Sequence, residues 1–301
     1  MAGSSVEVEI EGRRLSLSNL DKVLYPQSHV TKGEVVDYYA RVAPVLLTHL
    51  SGRCVTLRRY PDGVEGESFF EKRCPGHRPD WVHTALGPGD RRGGIHYCVL
   101  DDVPSVVWAA NLAALELHTP MARAADLATP TMVVFDLDPG PPAAMTECAR
   151  VALWIRDVLD HLDLQAFPKT SGSKGLQLYL PLNTEADHEH ARDFALAVAQ
   201  LLEKQHPGEV LTEMRKELRT GKVFIDWSQN ASFKTTVCAY SLRARPRPTV
   251  STPVTWDEVQ AAADGAPLSF EAHEVLERIA RLGDLFAPTA TLRQALPTPT
   301  A

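Results

Sequence analysis

The stretch from Val133 to Gly140 reads V-V-F-D-L-D-P-G, a short apolar run that carries two aspartates and ends at a Pro-Gly pair. The run predicts a buried strand, on which residues i and i+2 point to the same face. Asp136 and Asp138 should then lie side by side, with Leu137 in the core. Adjacent carboxylates repel each other unless a cation lies between them, and Mg²⁺ and Mn²⁺ prefer carboxylate oxygens. The stretch predicts half of a metal site; the alternative is an ordinary acidic strand end at the surface.

The rest of the composition is that of a globular protein. The chain has 301 residues, of which 44% are hydrophobic and 23% charged, enough for one large or two medium domains. It has neither an apolar run of about 18 residues nor a signal peptide, so we expect a cytoplasmic protein without a membrane partner. The net charge of −7 argues against a protein that coats nucleic acid, although local basic clusters can still bind it.

The cysteines carry no recognisable pattern. Their number is odd, their spacing is irregular, and no C-x-x-C pair occurs; they are Cys54, Cys74, Cys98, Cys148 and Cys238. We therefore expect neither a zinc site nor disulfides, and a reducing environment.

Two further stretches can join the aspartates. Asp226 ends a second apolar run, K-V-F-I-D-W. If its strand is a neighbour of the first, three carboxylates meet at one sheet edge and can hold two divalent ions about 4 Å apart, as in phosphoryl transfer. The turn S-G-S-K-G at 171–175 can bring backbone N–H groups, Ser171 and Lys174 to a phosphate; the alternative is a plain turn with a solvated lysine.

The remaining pattern mixes helices and strands. Helices are predicted over about 32–49, 103–117, 188–205 and 271–282, and a further helix follows the Asp136 strand. Strands are predicted over 55–60, 68–72, 94–100 and 233–242. Because some strands are adjacent along the chain and others are separated by helices, the pattern favours an α/β or α+β core with partly antiparallel pairing.

The order of these motifs resembles a known family. V-F-D-L-D-P-G, T-S-G-S-K-G-L and K-V-F-I-D-W-S-Q-N look like the three motifs of the archaeo-eukaryotic primase superfamily. Within it they are similar to the polymerase domain of bacterial DNA ligase D, which acts in non-homologous end joining. The resemblance spans roughly 15–285 and includes N-L-D-K-V-L-Y-P at 19–26, S-F-F-E-K at 68–72 and L-E-L-H-T-P at 115–120.

The resemblance implies an α+β primase-polymerase core of mixed, largely antiparallel sheets flanked by helices. It implies a single domain over 1–287, with DNA-contacting elements in 1–120 and the catalytic part in 121–287. We expect the segment 288–301, which is rich in Thr, Ala and Pro, to be a disordered tail.

The resemblance also implies residue roles. Two metal ions would be held by the catalytic residues Asp136, Asp138 and Asp226. The incoming nucleotide would be bound by His118, Ser171, Lys174, Gln177, Gln229 and Arg243. DNA would be bound by Asn19, Lys22 and Lys32 at a downstream 5′-phosphate, by Phe69 and Phe70 at the template, and by Lys72. Since adjacent strand residues face opposite ways, we expect one phenylalanine to pack and the other to be exposed.

The implied activity is template-dependent primer extension by two-metal phosphoryl transfer at gapped or broken DNA ends. The resemblance implies Mn²⁺ or Mg²⁺ as the cofactor. It implies nucleoside triphosphates, preferably ribonucleotides, and DNA with a 5′-phosphorylated gap or end as the substrates. A separate DNA ligase and a Ku-type end-binding protein are the implied partners of a monomeric, nucleoid-associated chain.

Two departures from the family leave alternatives. Gln177 stands where the family's second motif has histidine, and we expect no attached ligase or nuclease module, so that the chain either works with separate partners or is a trimmed domain. Glutamine can donate a hydrogen bond but cannot carry a proton or charge, so the first alternative is a 5′-phosphate-binding module without polymerase activity. The second is a phosphatase of the haloacid dehalogenase type, which also has a D-x-D strand, although Pro139-Gly140 and the lack of a later G-D-x-x-x-D motif disfavour it.

Overall fold

A computed structural model describes residues 5–89, 93–232 and 234–297. The chain divides into two compact units. Unit 1 comprises Met1–Pro120, Thr236–Ser251 and Phe270–Gly283, and unit 2 comprises Met121–Thr235, Thr252–Ser269 and Asp284–Ala301. Both contain helices and mostly antiparallel sheets, which confirms the predicted α+β class.

The strands are β1 (Ser5–Ile10), β2 (Arg13–Ser18), β3 (Val23–Tyr25), β4 (Val30–Thr31), β5 (Thr56–Arg59), β6 (Phe69–Glu71), β7 (His83–Gly87), β8 (Ile95–Val99), β9 (Ala114–Thr119), β10 (Ala122–Arg123), β11 (Asp126–Pro130), β12 (Met132–Pro139), β13 (Phe167–Thr170), β14 (Leu176–Pro181), β15 (Val210–Leu211), β16 (Val223–Asp226) and β17 (Thr236–Val237). The α-helices are α1 (Lys32–Leu50), α2 (Val103–Asn111), α3 (Met145–Asp160), α4 (His188–Gln205), α5 (Trp256–Ala263) and α6 (Ala272–Leu282).

Unit 1 is organised around a four-stranded sheet in the order β17-β9-β5-β6. Helix α1 begins at the predicted capping box, in which the side chains of Thr31 and Glu34 each accept a hydrogen bond from the other residue's backbone N–H. Its apolar face is buried, and α2 packs against it. The amphipathic spacing read from the sequence therefore correctly placed this helix.

The predicted helix over 103–117 is wrong in its second half. Helix α2 ends at Asn111, and the chain turns through Ala113, which has a φ of 57°. Strand β9 then pairs antiparallel with β5. Both halves are mostly buried and mostly apolar, so periodicity could not separate a helix from a strand.

Unit 2 is built on a five-stranded sheet in the order β13-β14-β12-β16-β15. Strand β12 is central and antiparallel to both neighbours, while β15 and β16 are parallel. Val133, Val134, Phe135 and Leu137 are completely buried, because helices α3 and α4 pack on this sheet. Burial of both faces explains the continuous apolar run before the aspartates.

Where β16 ends, the side chain of an asparagine makes the hydrogen bonds to β12 that a paired strand would make. The side chain of Asn230 accepts a hydrogen bond from the backbone N–H of Val134 at 2.8 Å and donates one to the Val134 carbonyl at 2.9 Å. A third hydrogen bond runs to the carbonyl of Trp227. The amide thus holds β12 beyond the last paired residue of β16.

Other predictions on the fold are corrected. Cys74 and Cys98 form a disulfide, against the expectation of none; a separation of 24 residues gave no spacing signal, yet Cys74 hydrogen-bonds the backbone of His96 and lies beside β8. Cys54, Cys148 and Cys238 are free and buried. The strand predicted over 233–242 reduces to β17, since the chain turns after it, and Phe233 lies outside the described residues.

The segment 288–301, which is predicted to be a disordered tail, is described as far as residue 297. Gln294 exchanges hydrogen bonds with the backbone of Gln165, and Asn183 donates to the carbonyls of Thr289 and Leu292. Residues 298–301 lie outside the described residues. Among the helices of the described chain, none is long and apolar enough to cross a membrane.

Candidate active site

A row of polar side chains crosses the sheet of unit 2. Asp136 on β12 is directly opposite Asp226 on β16 and directly opposite Gln177 on β14. Gln177 is in turn opposite Lys169 on β13. Because directly paired residues of antiparallel strands point to the same face, these side chains line one face of four adjacent strands.

The members of the row are joined by hydrogen bonds. Lys169 Nζ donates to Gln177 Oε1 at 2.5 Å, and Gln177 Nε2 donates to Asp136 Oδ1 at 2.9 Å. At the other end, Gln229 Nε2 donates to Asp226 Oδ2 at 2.9 Å, and Ser228 Oγ donates to Asp226 Oδ1 at 2.6 Å. Asp136 and Asp226 are therefore each oriented by an amide before any ligand binds.

Asp138 is placed differently from the other two aspartates. It lies two residues along β12 from Asp136, but its side chain is 52% exposed and lies 3.8 Å from the guanidinium of Arg219. Arg219 also stacks over the ring of Phe224, 3.9 Å from its centroid. An arginine that the sequence reasoning missed thus neutralises the outermost carboxylate.

The carboxylates perturb one another. Burial raises the pKa of Asp136 to about 7, with the charge of Asp138 as the next cause, although the hydrogen bond from Gln177 acts to lower it. A cation would relieve this repulsion, and carboxylate oxygens are the donors that Mg²⁺ and Mn²⁺ prefer. The donor set fits such an ion. Among the residues the structure describes, however, no three His, Cys, Asp or Glu side chains are already grouped closely enough to hold one.

The glycine-rich turn between β13 and β14 is closed on itself. Ser171 Oγ accepts hydrogen bonds from the backbone N–H groups of Ser173 and Gly175, at 3.2 and 3.1 Å. A Cβ on Gly175 would lie 2.1 Å from the carbonyl oxygen of Leu137, so glycine is needed there for the close approach of β12. Lys174 is exposed. The turn thus places an exposed ammonium beside a nearly buried hydroxyl.

In unit 1, a buried glutamate gathers cationic groups. Glu116 is 1% exposed and lies on β9 two residues before His118, whose Nε2 donates to it at 2.9 Å. Arg243 Nε is 3.2 Å away and Arg58 Nη1 is 3.5 Å away. The backbone N–H of Ala244 donates to it at 3.1 Å. Sequence reasoning named His118 and Arg243 but missed their shared carboxylate.

The electrostatics of this Glu116 cluster follow from burial and charge. Burial acts to raise the pKa of Glu116, but the hydrogen bond from His118 and the charge of Arg243 outweigh it and lower the pKa to about 2. Burial also lowers the pKa of His118, against the opposing effect of Glu116. At neutral pH the cluster therefore contains an ionised glutamate that accepts from a neutral imidazole.

The residues predicted to bind the 5′-phosphate, Asn19, Lys22 and Lys32, are joined by backbone hydrogen bonds in unit 1. Asn19 adopts a φ of 53°, and its carbonyl accepts from the backbone N–H of Lys22. The backbone N–H of Lys32 donates to the carbonyl of Lys22 at 2.8 Å. Lys22 pairs with exposed Asp62 at 2.7 Å, while Lys32 donates to the carbonyl of Ser18 at 2.6 Å. Burial, then the charges of Lys22 and Arg59, lower the pKa of Lys32 to about 8.

The predicted aromatic pair is exposed on both sides. Phe69 is 45% exposed and Phe70 is 55% exposed. The expectation that one of the two rings packs is therefore wrong. Strand β6, which carries both, lies at the edge of its sheet. Arg59 lies over the ring of Phe69 and Arg58 over that of Phe70, and the ring of Phe70 meets His118 edge-on at 5.5 Å. Lys72 follows at the surface.

Comparison with known proteins identifies the family. The sequence matches the family described as "LigD, primase-polymerase domain" over residues 31–286. It is 44% identical over 277 residues to the multifunctional non-homologous end joining protein LigD of Mycolicibacterium smegmatis, covering 91% of this chain and 36% of that relative. It is 33% identical over 271 residues to the bifunctional non-homologous end joining protein LigD of Bacillus subtilis, covering 90% and 43%.

A solved structure matches the whole fold. It is the polymerase domain from Mycobacterium tuberculosis ligase D in complex with DNA, with a TM-score of 0.88 and 44% identity, covering 93% of this chain and 99% of that one. The chain spans only 36% of the length of its M. smegmatis relative. The resemblance read from the sequence is thereby confirmed, and the chain belongs to the family of LigD primase-polymerase domains.

Proposed function

We propose that this chain is a template-dependent nucleotidyltransferase that extends primers at gapped or broken DNA ends. The 3′-hydroxyl of the primer attacks the α-phosphate of a nucleoside triphosphate, and pyrophosphate leaves. The observation that carries this proposal is the alignment of Asp136 with Asp226 across β12 and β16, which brings together two carboxylates from separate motifs. Membership of the family supports the same reaction and disfavours the phosphatase alternative.

The proposal assigns metal binding to the aspartates. Asp136, Asp138 and Asp226 would hold the divalent cations, Mn²⁺ or Mg²⁺, and Asp138 now pairs with Arg219. When bound, two such ions lower the pKa of an attacking hydroxyl and stabilise charge on the leaving group. Gln177 and Gln229 position the carboxylates through the hydrogen bonds they donate.

Nucleotide binding is assigned to the turn at 171–175. Lys174 supplies an exposed positive charge, and Ser171 supplies a hydroxyl whose oxygen accepts hydrogen bonds from the backbone of its own turn. Ribonucleotides are the expected substrates. Gln177, Gln229, His118 and Arg243 are likewise proposed to contact the nucleotide.

DNA binding is assigned to unit 1. Lys22 and Lys32 would grip a downstream 5′-phosphate, and Phe69 and Phe70 would stack on exposed bases, since aromatic rings on an edge strand are accessible to them. The solved relative is in complex with DNA, which supports DNA binding by this chain. A separate DNA ligase and a Ku-type end-binding protein would complete the joining of ends.

The test is primer extension on a duplex with a 5′-phosphorylated gap, in Mn²⁺, with ribonucleotides and deoxynucleotides in parallel. Asp136→Asn keeps the size of the side chain but removes its charge. Since metal ions supply several kcal/mol of stabilisation, we expect at least about a hundredfold loss of rate. Asp257→Asn, an exposed position of α5 in the same unit, is the matched control and should extend at the wild-type rate.

Two outcomes would contradict the proposal. Undiminished extension by folded Asp136→Asn would remove the carboxylate from the reaction. The second is tight binding of the phosphorylated duplex by the wild type without extension in Mn²⁺ or Mg²⁺. That result would favour the alternative of a 5′-phosphate-binding module without polymerase activity.

A further inference from the structure

The buried lysine of the row has no role in the proposed chemistry so far. Lys169 is completely buried, and its neighbour Gln177 is 4% exposed. Lys169 Nζ lies 2.5 Å from Gln177 Oε1 and 5.2 Å from the centre of the Tyr179 ring. Burying an ammonium group is costly unless its partners compensate. A lysine at this position therefore needs an explanation beyond packing, which an apolar side chain would provide at less cost.

The hydrogen-bonding groups of Lys169, Gln177 and Asp136 determine which way the Gln177 carboxamide points. Lysine only donates hydrogen bonds, an ionised carboxylate only accepts them, and a carboxamide has one end of each kind. With Lys169 on one side, the oxygen of Gln177 must face the lysine. Its NH₂ group must then face Asp136, which is the arrangement observed. Without the lysine, the amide oxygen loses its donor, and the carboxamide is held at one end only.

We propose that Lys169 is a positioning residue for the metal-binding carboxylate: it acts through Gln177, setting the direction of the carboxamide so that Asp136 is oriented for a cation. The inference rests on the proposed function, because it assigns the cation to Asp136. Gln177 makes both contacts while uncharged.

Two mechanisms for Lys169 predict opposite signs. If the lysine acted only as a nearby positive charge, replacing it with an apolar residue would strengthen binding of a cation to ionised Asp136, since a like charge is lost; the titration is therefore run at a pH above the Asp136 pKa of about 7. If it acts by orienting Gln177, the replacement weakens binding. The expected loss for Lys169→Met is about tenfold, the size of one hydrogen bond to a charged group.

The experiment compares Lys169→Met, Gln177→Met and the double variant by titration with Mn²⁺, followed by electron paramagnetic resonance. Lys169→Met should weaken Mn²⁺ binding in the wild-type background and should have no further effect when Gln177 is methionine, because the lysine acts through the amide. Lys204→Met removes an exposed positive charge on α4 and should leave binding unchanged. Equal or tighter Mn²⁺ binding by folded Lys169→Met would overturn the inference.

A second readout needs no metal. The side-chain NH₂ signals of Gln177 in a ¹H–¹⁵N spectrum are assigned by their loss in Gln177→Met. In Lys169→Met they should shift and exchange faster with solvent, and unchanged signals would overturn the inference. Should Lys169→Met not fold, Lys169→Gln keeps a donor and serves both readouts, with a smaller loss expected. If the wild type binds no Mn²⁺, the proposed function fails, and the amide signals alone decide whether Lys169 orients Gln177.

Discussion

Replacement of Glu116 by glutamine should destabilise the protein in a way that depends on pH. Glu116 is buried beneath His118, Arg58 and Arg243. Glutamine has the same shape but no charge, so the two guanidinium groups lose the carboxylate between them. Removing one partner of a buried ion pair is costly because the other charge stays desolvated.

The magnitude follows from the pKa of Glu116. That pKa falls from its ordinary value of 4.5 to about 2 in the folded protein, and 1.36 kcal/mol for each of about 2.5 pH units gives about 3 kcal/mol. Because the folded-state pKa is the lower one, folding favours the ionised form. The stabilisation is complete above about pH 4.5 and is lost as the pH falls toward 2.

Urea denaturation measures this effect. At pH 7 the free energy of unfolding of Glu116→Gln should lie about 3 kcal/mol below that of the wild type, and near pH 3 the difference should shrink to about 1 kcal/mol. Glu65→Gln makes the same chemical change at an exposed position and should stay within about 0.5 kcal/mol at both pH values.

Two results would refute this reasoning. A difference below about 0.5 kcal/mol at pH 7 would mean that the carboxylate does not stabilise the cluster. A large difference that is the same at pH 3 and pH 7 would mean that glutamine disturbs packing, with no contribution from the lost charge.

Three further predictions concern the scaffold and the DNA contacts. Asn230→Ala leaves two backbone groups of β12 without partners and should lower the free energy of unfolding by about 3 kcal/mol; a change under about 1 kcal/mol in urea would contradict it. Gly175→Ala places a Cβ against the Leu137 carbonyl and should cost about 1–3 kcal/mol, whereas Gly208→Ala, with open space around it, should cost less than about 1 kcal/mol by the same measurement. Because burial lowers the pKa of Lys32 to about 8, the preference for 5′-phosphorylated over 5′-hydroxyl duplex should weaken as the pH rises through 8. Fluorescence anisotropy should show Lys32→Met without that pH dependence, and a wild-type preference that is constant from about pH 7 to about pH 9 would count against the assignment.

The parts of the fold with a strong local signal were predictable. The capping box placed α1, and the buried run with its i, i+2 aspartates placed β12 and gave the shared direction of its acidic side chains. Pairing of β12 with β16 was a conditional expectation, since register depends on contacts between residues far apart in sequence. The helix predicted over 103–117 failed because a buried strand and a buried helix are equally apolar.

The site was predictable where a residue type had a chemical reason to stand out. Aspartates at strand ends and a glycine-rich turn carry such a signal. Glu116, Lys169, Arg219 and Asn230 do not, because each is defined by a partner on another element and is locally an ordinary polar residue. The disulfide between Cys74 and Cys98 was unpredictable for the same reason, because each cysteine is defined by a partner distant in sequence.

Strand β12 is paired on both edges, so one alignment sets Asp136 opposite Gln177 and opposite Asp226 at once. Side chains alternate along a strand, so sliding β12 by a single residue would carry Leu137 to the acidic side and drive Asp136 into the apolar interior. A one-residue insertion or deletion there would cost hydrophobic burial as well as the carboxylate face. A chain with β12 in the wrong register would therefore be unstable as well as lacking the carboxylate site. The same register that buries the apolar side chains of β12 also places its carboxylates.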